Sequence, residues 1–309
     1  MKPLEFTSDN ALPILRAFKT VASAKGALED RQRAFIETHQ KEAGVTTNVR
    51  DLVPITAEEL AAKIADPDLR LAIVQRMVVV ALLDEVADRE EIDLLHRFSK
   101  TLRVHEPAVG QAKLAASRSA KRLAFDMLRH GFLAKVFRDE WNAHGVSGIL
   151  RSVRAMSGGT DETVANKFRA LRDLPAGTLG AHYIAYMDAN KFGLPGEPKG
   201  AGEALIFHDL GHALTSFTTD VAGEMRMAGF EAGYMREDGF GVVALALFGF
   251  HMGLPLPNIA ACRGGFDWQA ITEGYRLGRK LKVDLRNWSP WSGFDRPLAE
   301  VRAELGLAY

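Results

Sequence analysis

One cysteine, Cys262, stands among 309 residues, so no disulfide framework can staple this chain in the manner of a small secreted protein. With Ala260, Ala261 and Arg263 around it, the thiol reads as a small apolar residue with a structural role. Net charge is absent too: 39 Lys and Arg balance 39 Asp and Glu. No basic excess favours nucleic acid, and none is expected as a partner. A clean apolar run of about 20 residues, the length that crosses a bilayer, is missing. The most apolar stretch, 239–256, is shorter, contains His251 and reaches Pro255. Alternating β-branched runs are few, which argues against sheet. The first residues lack the apolar core of a signal peptide and the Arg/Ser-rich, acid-poor character of a transit peptide. A bacterial cytoplasm is the expected location.

What is present is Ala, Leu, Arg, Glu and Lys in long stretches broken by Gly and Pro, the mark of an all-α, multi-helical protein. The glycines at 145, 148, 158 and 159 place a boundary near 141–159. The expected domains are a helical adjunct over 1–145 and a metal-binding and lipid-binding domain over 150–309. Within the first, residues 21–45 align without gaps on 80–104, and each copy reads as a helical hairpin. The second copy, with Asp84, Glu85, Asp88, Glu90 and Glu91 before Leu94, Leu95 and Phe98, resembles the helix, acidic turn, helix units of tellurite-resistance TerB-like domains. An ordinary amphipathic helix pair with acids at a helix start gives the same pattern.

The densest chemistry lies at His208-Asp209-Leu210-Gly211-His212, followed after eleven residues by Glu224. At about 100° per residue His208 and His212 lie one turn apart on one helix face, and Asp209 sits one turn from His212. Thr218-Thr219-Asp220 is a cap cluster, which starts a second helix with Glu224 in its first turn or so. Two imidazoles and carboxylates suit zinc, iron(II) or manganese(II), and spacing alone does not choose. Metal candidates are therefore His208, Asp209, His212 and Glu224. If three groups bind, His208, His212 and Glu224 leave a position open, and Asp209 is free to hydrogen-bond an imidazole or take a proton.

The spaced pattern His-Asp-x-x-His, eleven residues, Glu is similar to the hallmark of the ubiquinone (coenzyme Q) biosynthesis family. The segment Leu174-Pro175-Ala176-Gly177-Thr178-Leu179-Gly180 with Tyr183 and Met187 resembles that family's Leu-Pro-x-Gly-Thr segment, and Gly223-Glu224 and Phe230-Glu231-Ala232 fall at similar places. Tyr275, Gly278, Arg279, Trp288, Trp291, Pro297-Leu298 and Arg302-x-Glu304-Leu305-Gly306 are similar to its C-terminal end, so the resemblance covers roughly the last half of the chain. The short apolar lead-in Glu203-Ala204-Leu205-Ile206-Phe207 departs from the family's longer Arg/Tyr-rich helix.

The resemblance implies a metal-dependent step of ubiquinone biosynthesis, in which the carboxylate of a polyprenylated hydroxybenzoate ring is replaced by oxygen. It implies a divalent metal, zinc or iron(II), with Asp209 and Glu224 as catalytic residues and Glu231 and Tyr183 as further site candidates. The expected partners are the polyprenylated aromatic precursor, other quinone-biosynthesis proteins and a second copy of the chain. Long-chain lipid handling turns attention to the apolar stretch 239–256, where Gly241, Leu245, Phe248 and Met252 are candidate lipid-binding residues; a tightly packed core helix is the alternative. Residues 111–138 carry seven cations against Asp126 and read as one basic amphipathic helix. Either it docks on the anionic inner face of the cytoplasmic membrane or its basic face is simply solvated. Two other functions fit the residues: a lipid-holding scaffold with a structural zinc, and an HD-type metal phosphohydrolase that pairs His182 with His208-Asp209.

Overall fold

Helices make up the regular structure of this protein in a computed structural model that describes residues 1–130, 138, 159–198, 200, 202–236, 239–254 and 262–307. In chain order they are α1 (Ala11–Ala22), α2 (Asp30–Ala43), α3 (Ala57–Lys63), α4 (Pro67–Val80), α5 (Arg89–Thr101), α6 (Pro107–Ala116) and α7 (Ala120–His130). There follow α8 (Glu162–Arg169), α9 (Leu179–Asn190), α10 (Ile206–Thr215), α11 (Val221–Tyr234), α12 (Phe240–Ala246), α13 (Trp268–Gly278) and α14 (Leu298–Leu305). Among the described residues no strand forms beyond two isolated bridges, Thr178 with Pro297 and Met252 with Arg263. The all-α expectation holds. No described helix is long and apolar enough to cross a membrane.

Helix starts follow local chemistry. Thr56 and Glu59 form a reciprocal capping box at α3, with bonds of 3.1 and 2.8 Å, and Asp66 caps α4 ahead of Pro67 at the first helical position. Asp88, Asp161, Thr178 and Asp220 do the same for α5, α8, α9 and α11. Each side-chain oxygen satisfies a backbone N–H that the helix itself cannot.

The chain divides into two compact units, residues 1–131 with 237–268, and 132–236 with 269–309. In the first, α1 pairs with α2 and α4 with α5, and the aligned copies 21–45 and 80–104 each span the turn and the second helix of a pair rather than a whole hairpin. Equivalent positions, 59 apart, meet. Lys25 pairs with Asp84, and Gln32 Nε2 donates to Glu91 Oε1 at 3.1 Å. Gln32 also donates to the Val80 carbonyl, while Glu91 Oε2 is buried without a partner. Burial pushes the Glu91 carboxyl up to about 7. The acidic turn thus serves to cap a helix and join two hairpins.

Two expectations change. Residues 111–138 are not one helix: α6 and α7 are separated at Ser117–Ser119, where Arg118 takes a positive φ of 54°. Residues 131–137 of that stretch, and 141–158 of the expected boundary, lie outside the described residues. The stretch 239–256 does not join the metal-binding half. It turns from α12 into a π-helical turn, Leu247–His251, and belongs to the first unit because His251 is buried there, with Nε2 on the Leu83 carbonyl at 3.1 Å and Nδ1 accepting from Phe266 N–H. Trp268, at the end of the same excursion, packs on Phe35 and stacks on His39 at 5.6 Å. Gly241, Leu245, Phe248 and Met252 are therefore in a different unit from His208, His212 and Glu224.

The second unit is built around a backbone-close crossing of α11 and α13. A Cβ on Gly229 would lie 2.0 Å from the Ile271 carbonyl oxygen, one on Gly274 1.8 Å from that of Arg226, and one on Gly278 2.0 Å from that of Phe230. Only glycine permits this approach. On the other helix pair, Gly211 of α10 packs under Met227 of α11, where a Cβ would come within 2.9 Å of the sulfur. Helix α11 is thereby fixed between α10 and α13.

Candidate metal centre

His208 and His212 stand one turn apart on α10, and Glu224 occupies the first turn of α11, whose start is fixed by Asp220 accepting from Gly223 N–H at 2.8 Å. Thr218 at the cap leaves Gly223 no room for a side chain, since a Cβ would fall 1.9 Å from its carbonyl oxygen. The tight turn between the helices thus brings the carboxylate onto the two imidazoles. His208 Nε2 lies 3.5 Å from Glu224 Oε2, and His212 Nε2 lies 3.5 Å from Oε1.

Ligands about 2.1 Å from a tetrahedral ion are about 3.4 Å from one another. The measured spacing matches that, and one ligand atom from each of the three residues lies within 4.8 Å of the others. His208, His212 and Glu224 could hold a metal ion.

The ring orientations support the same set. His212 is buried and its Nδ1 donates to the Phe217 carbonyl at 2.9 Å, which leaves Nε2 as a bare lone pair. That atom is buried with no hydrogen-bond partner, an arrangement that costs free energy unless something else binds there. His208 Nδ1 points instead to Glu231 Oε1 at 2.8 Å, so a carboxylate orients the ring and leaves its Nε2 toward Glu224. Glu231 lies two turns beyond Glu224 on α11 and is 3 % exposed.

Proton affinities divide the two imidazoles. Burial works against the charged form of His208, but the Glu231 and Glu224 carboxylates outweigh it and hold the ring well above its usual value. Burial, with the charge on His208, lowers His212 to about 4. Without metal the site carries its proton on His208, so proton and metal compete there.

Asp209 does not join the three ligands. Being next to His208 in sequence, it is turned about 100° around α10, and it is pushed up to about 6 by burial, against the pull of the His208 charge. Its own charge acts on Tyr183 and Tyr186 of α9. Tyr186 lies flat on His212, with ring centroids 5.3 Å apart and planes 12° from parallel. Tyr183 is fully buried against Phe168 and Phe294, its hydroxyl unpartnered. Of the two sequence candidates outside the ligand set, Glu231 meets His208 directly, while Tyr183 packs against Phe168 and Phe294.

Tyr186 is not among the sequence candidates, and Arg302 enters there only through the C-terminal resemblance, without a role at the site. The guanidinium of Arg302 on α14 donates to the Leu214 carbonyl at 2.7 Å and to Ser216 Oγ at 3.0 Å, closing the C-terminal end of α10. No local pattern announces a contact that spans 88 residues. His182 is exposed on α9 and takes no part in the cluster. No protein-family model and no curated protein matches the chain.

Proposed function

We propose that this protein is a metal-dependent enzyme of ubiquinone biosynthesis that carries out oxidative decarboxylation of a polyprenylated hydroxybenzoate ring. The observation that carries the reading is the orphaned Nε2 of His212 facing Glu224 beside His208, within the His-Asp-x-x-His, eleven residues, Glu pattern. Two imidazoles and one carboxylate suit zinc or iron(II), and of these iron(II) fits oxygen chemistry. Three protein ligands rather than four favour an open, reactive centre over a closed structural one, as does a His208 side chain that is 38 % exposed.

Replacing the ring carboxyl by hydroxyl consumes dioxygen, two electrons from a soluble reductant and two protons, and releases carbon dioxide and water. A bound iron(II) supplies a redox-active, Lewis-acidic position. The chain's own groups do the rest. Glu231 holds the proton of His208 Nδ1 and with it the direction of Nε2. Asp209, with a carboxyl near 6, stands in range to take and return a proton at neutral pH. Glu224 serves as ligand and counter-charge.

The substrate's prenyl tail ties this reaction to the cytoplasmic membrane face. On α7 the cations Lys121, Arg122 and Arg129 and the 63 % exposed Phe125 share an outward face, which suits an anionic lipid surface. The test of function is turnover. Iron(II)-loaded protein, given dioxygen, a reductant and a prenylated hydroxybenzoate with a 13C-labelled carboxyl, releases labelled carbon dioxide and forms the ring hydroxyl. Absence of both products with iron bound at one per chain refutes the reaction.

A further inference from the structure

We infer that Tyr186 is a positioning residue of the metal centre: its ring, and not its hydroxyl, fixes the plane of His212, and Phe192 and Asn190 hold that ring in place. The role rests on the metal-centre reading above and is independent of the reaction proposed for it.

A buried ligand needs its ring plane set as well as its position. The Nδ1 bond to the Phe217 carbonyl, at 2.9 Å, fixes one edge of the His212 imidazole and leaves the ring free to rock about that edge. His208 does not block this motion, because its ring stands 79° from the plane of His212 with centroids 4.9 Å apart. Tyr186 lies parallel within 12° at 5.3 Å, so a tilt of the imidazole drives one edge into the phenol face. The Nε2 atom thus keeps its direction toward Glu224 Oε1, 3.5 Å away.

The end of α9 holds the tyrosine in turn. At Lys191 a left-handed φ of 57° reverses the chain, and the next N–H, of Phe192, donates to the Met187 carbonyl at 2.9 Å. That reversal lays Phe192 edge-on to Tyr186, at 6.0 Å and 67°. Phe192 is 44 % exposed, so an apolar side chain stays partly in water while it covers its aromatic neighbour. Asn190 ties the same helix end to the third ligand. Its Nδ2 donates to the Tyr186 carbonyl at 2.9 Å, and its Oδ1 accepts from Thr219 Oγ1 at 2.8 Å. Thr219 lies in the turn that brings Glu224 onto the imidazoles. One asparagine therefore links the stack on His212 to the approach of Glu224.

The contact uses the ring face. Phenylalanine presents the same face, whereas leucine is apolar without one. Groups that orient a ligand histidine contribute about 10- to 100-fold in metal affinity, and an aromatic stack belongs at the lower end of that range.

Zinc competition against a chelator and cobalt(II) absorption, both on the full chain, test the role in wild type, Tyr186→Phe, Tyr186→Leu and Phe192→Ala. Tyr186→Phe should keep zinc affinity within about twofold and leave the cobalt bands in place. Tyr186→Leu should weaken zinc about tenfold and shift the bands, and Phe192→Ala should weaken zinc about threefold. Wild-type affinity and spectrum in Tyr186→Leu, even with a lowered metal-free unfolding midpoint, would make Tyr186 a packing residue and overturn the role. A loss in Tyr186→Phe equal to that in Tyr186→Leu overturns the claim for the ring. Where Tyr186→Leu does not fold, unchanged zinc affinity in Phe192→Ala overturns it. Wild type that binds no zinc removes the centre and the role together. If the variants behave as expected while prenylated hydroxybenzoate is not converted, the role stands and the proposed reaction alone falls.

Discussion

Glu231→Gln separates the charge of the residue from its shape. The native carboxylate is 3 % exposed and meets His208 Nδ1 at 2.8 Å. A hydrogen bond to a charged group contributes about 1.5–3 kcal/mol when fully desolvated. His208 is 38 % exposed, and solvent screening together with the acceptor that glutamine retains brings the expected loss to about 1 kcal/mol. For a unit of this size that lowers the unfolding midpoint by about 2–4 °C.

The pH dependence has a definite sign. His208 is held above its ordinary 6.5 in the folded chain, so its contribution is fully present below that value and is lost as pH rises through the raised value. Metal-free wild type and Glu231→Gln should differ most near pH 6 and converge under alkaline conditions. Removing the carboxylate also weakens zinc binding by about tenfold, the lower end of what orienting partners of ligand histidines contribute. Thermal unfolding by circular dichroism across pH and zinc competition against a chelator read the two effects. A stability gap that widens with pH, or zinc affinity unchanged in the variant, would refute the role given to Glu231.

Two further outcomes follow from the packing and the surface. Gly274→Ala puts a Cβ 1.8 Å from the Arg226 carbonyl oxygen and forces α11 away from α13. Overpacking of this kind costs about 3 kcal/mol, and because Glu224 and Glu231 ride on α11, metal affinity should fall together with the unfolding midpoint. An unchanged midpoint contradicts the crossing. Replacing Lys121, Arg122 and Arg129 by glutamine should abolish co-sedimentation with anionic liposomes at low salt; unchanged sedimentation removes α7 from membrane docking.

Local chemistry was legible in the sequence because it acts over a few residues. Asp220 caps α11 as the Thr-Thr-Asp cluster predicts, and the aligned copies 21–45 and 80–104 place α2 and α5 at matching positions. The two histidines and Glu224 converge as their spacing implies. Asp209 was ambiguous, because spacing places a residue on a helix but does not say which way its carboxylate turns. The break at Arg118 was hidden by a charge pattern that continues through it. The glycines at 229, 274 and 278 show their purpose only when α11 and α13 meet. Membership of the excursion 237–268 in the first unit depends on contacts such as His251 with Leu83, 168 residues apart. Such contacts leave no periodic trace.

Metal content is the most direct test of the centre. Wild type purified anaerobically and aerobically should be compared with His208→Ala and Glu224→Ala by elemental analysis. Wild type should carry about one zinc or iron per chain and both variants should lose it, with iron depleted by aerobic handling if the centre is redox-active. Wild type without stoichiometric metal, or metal retained in both variants, would contradict the centre.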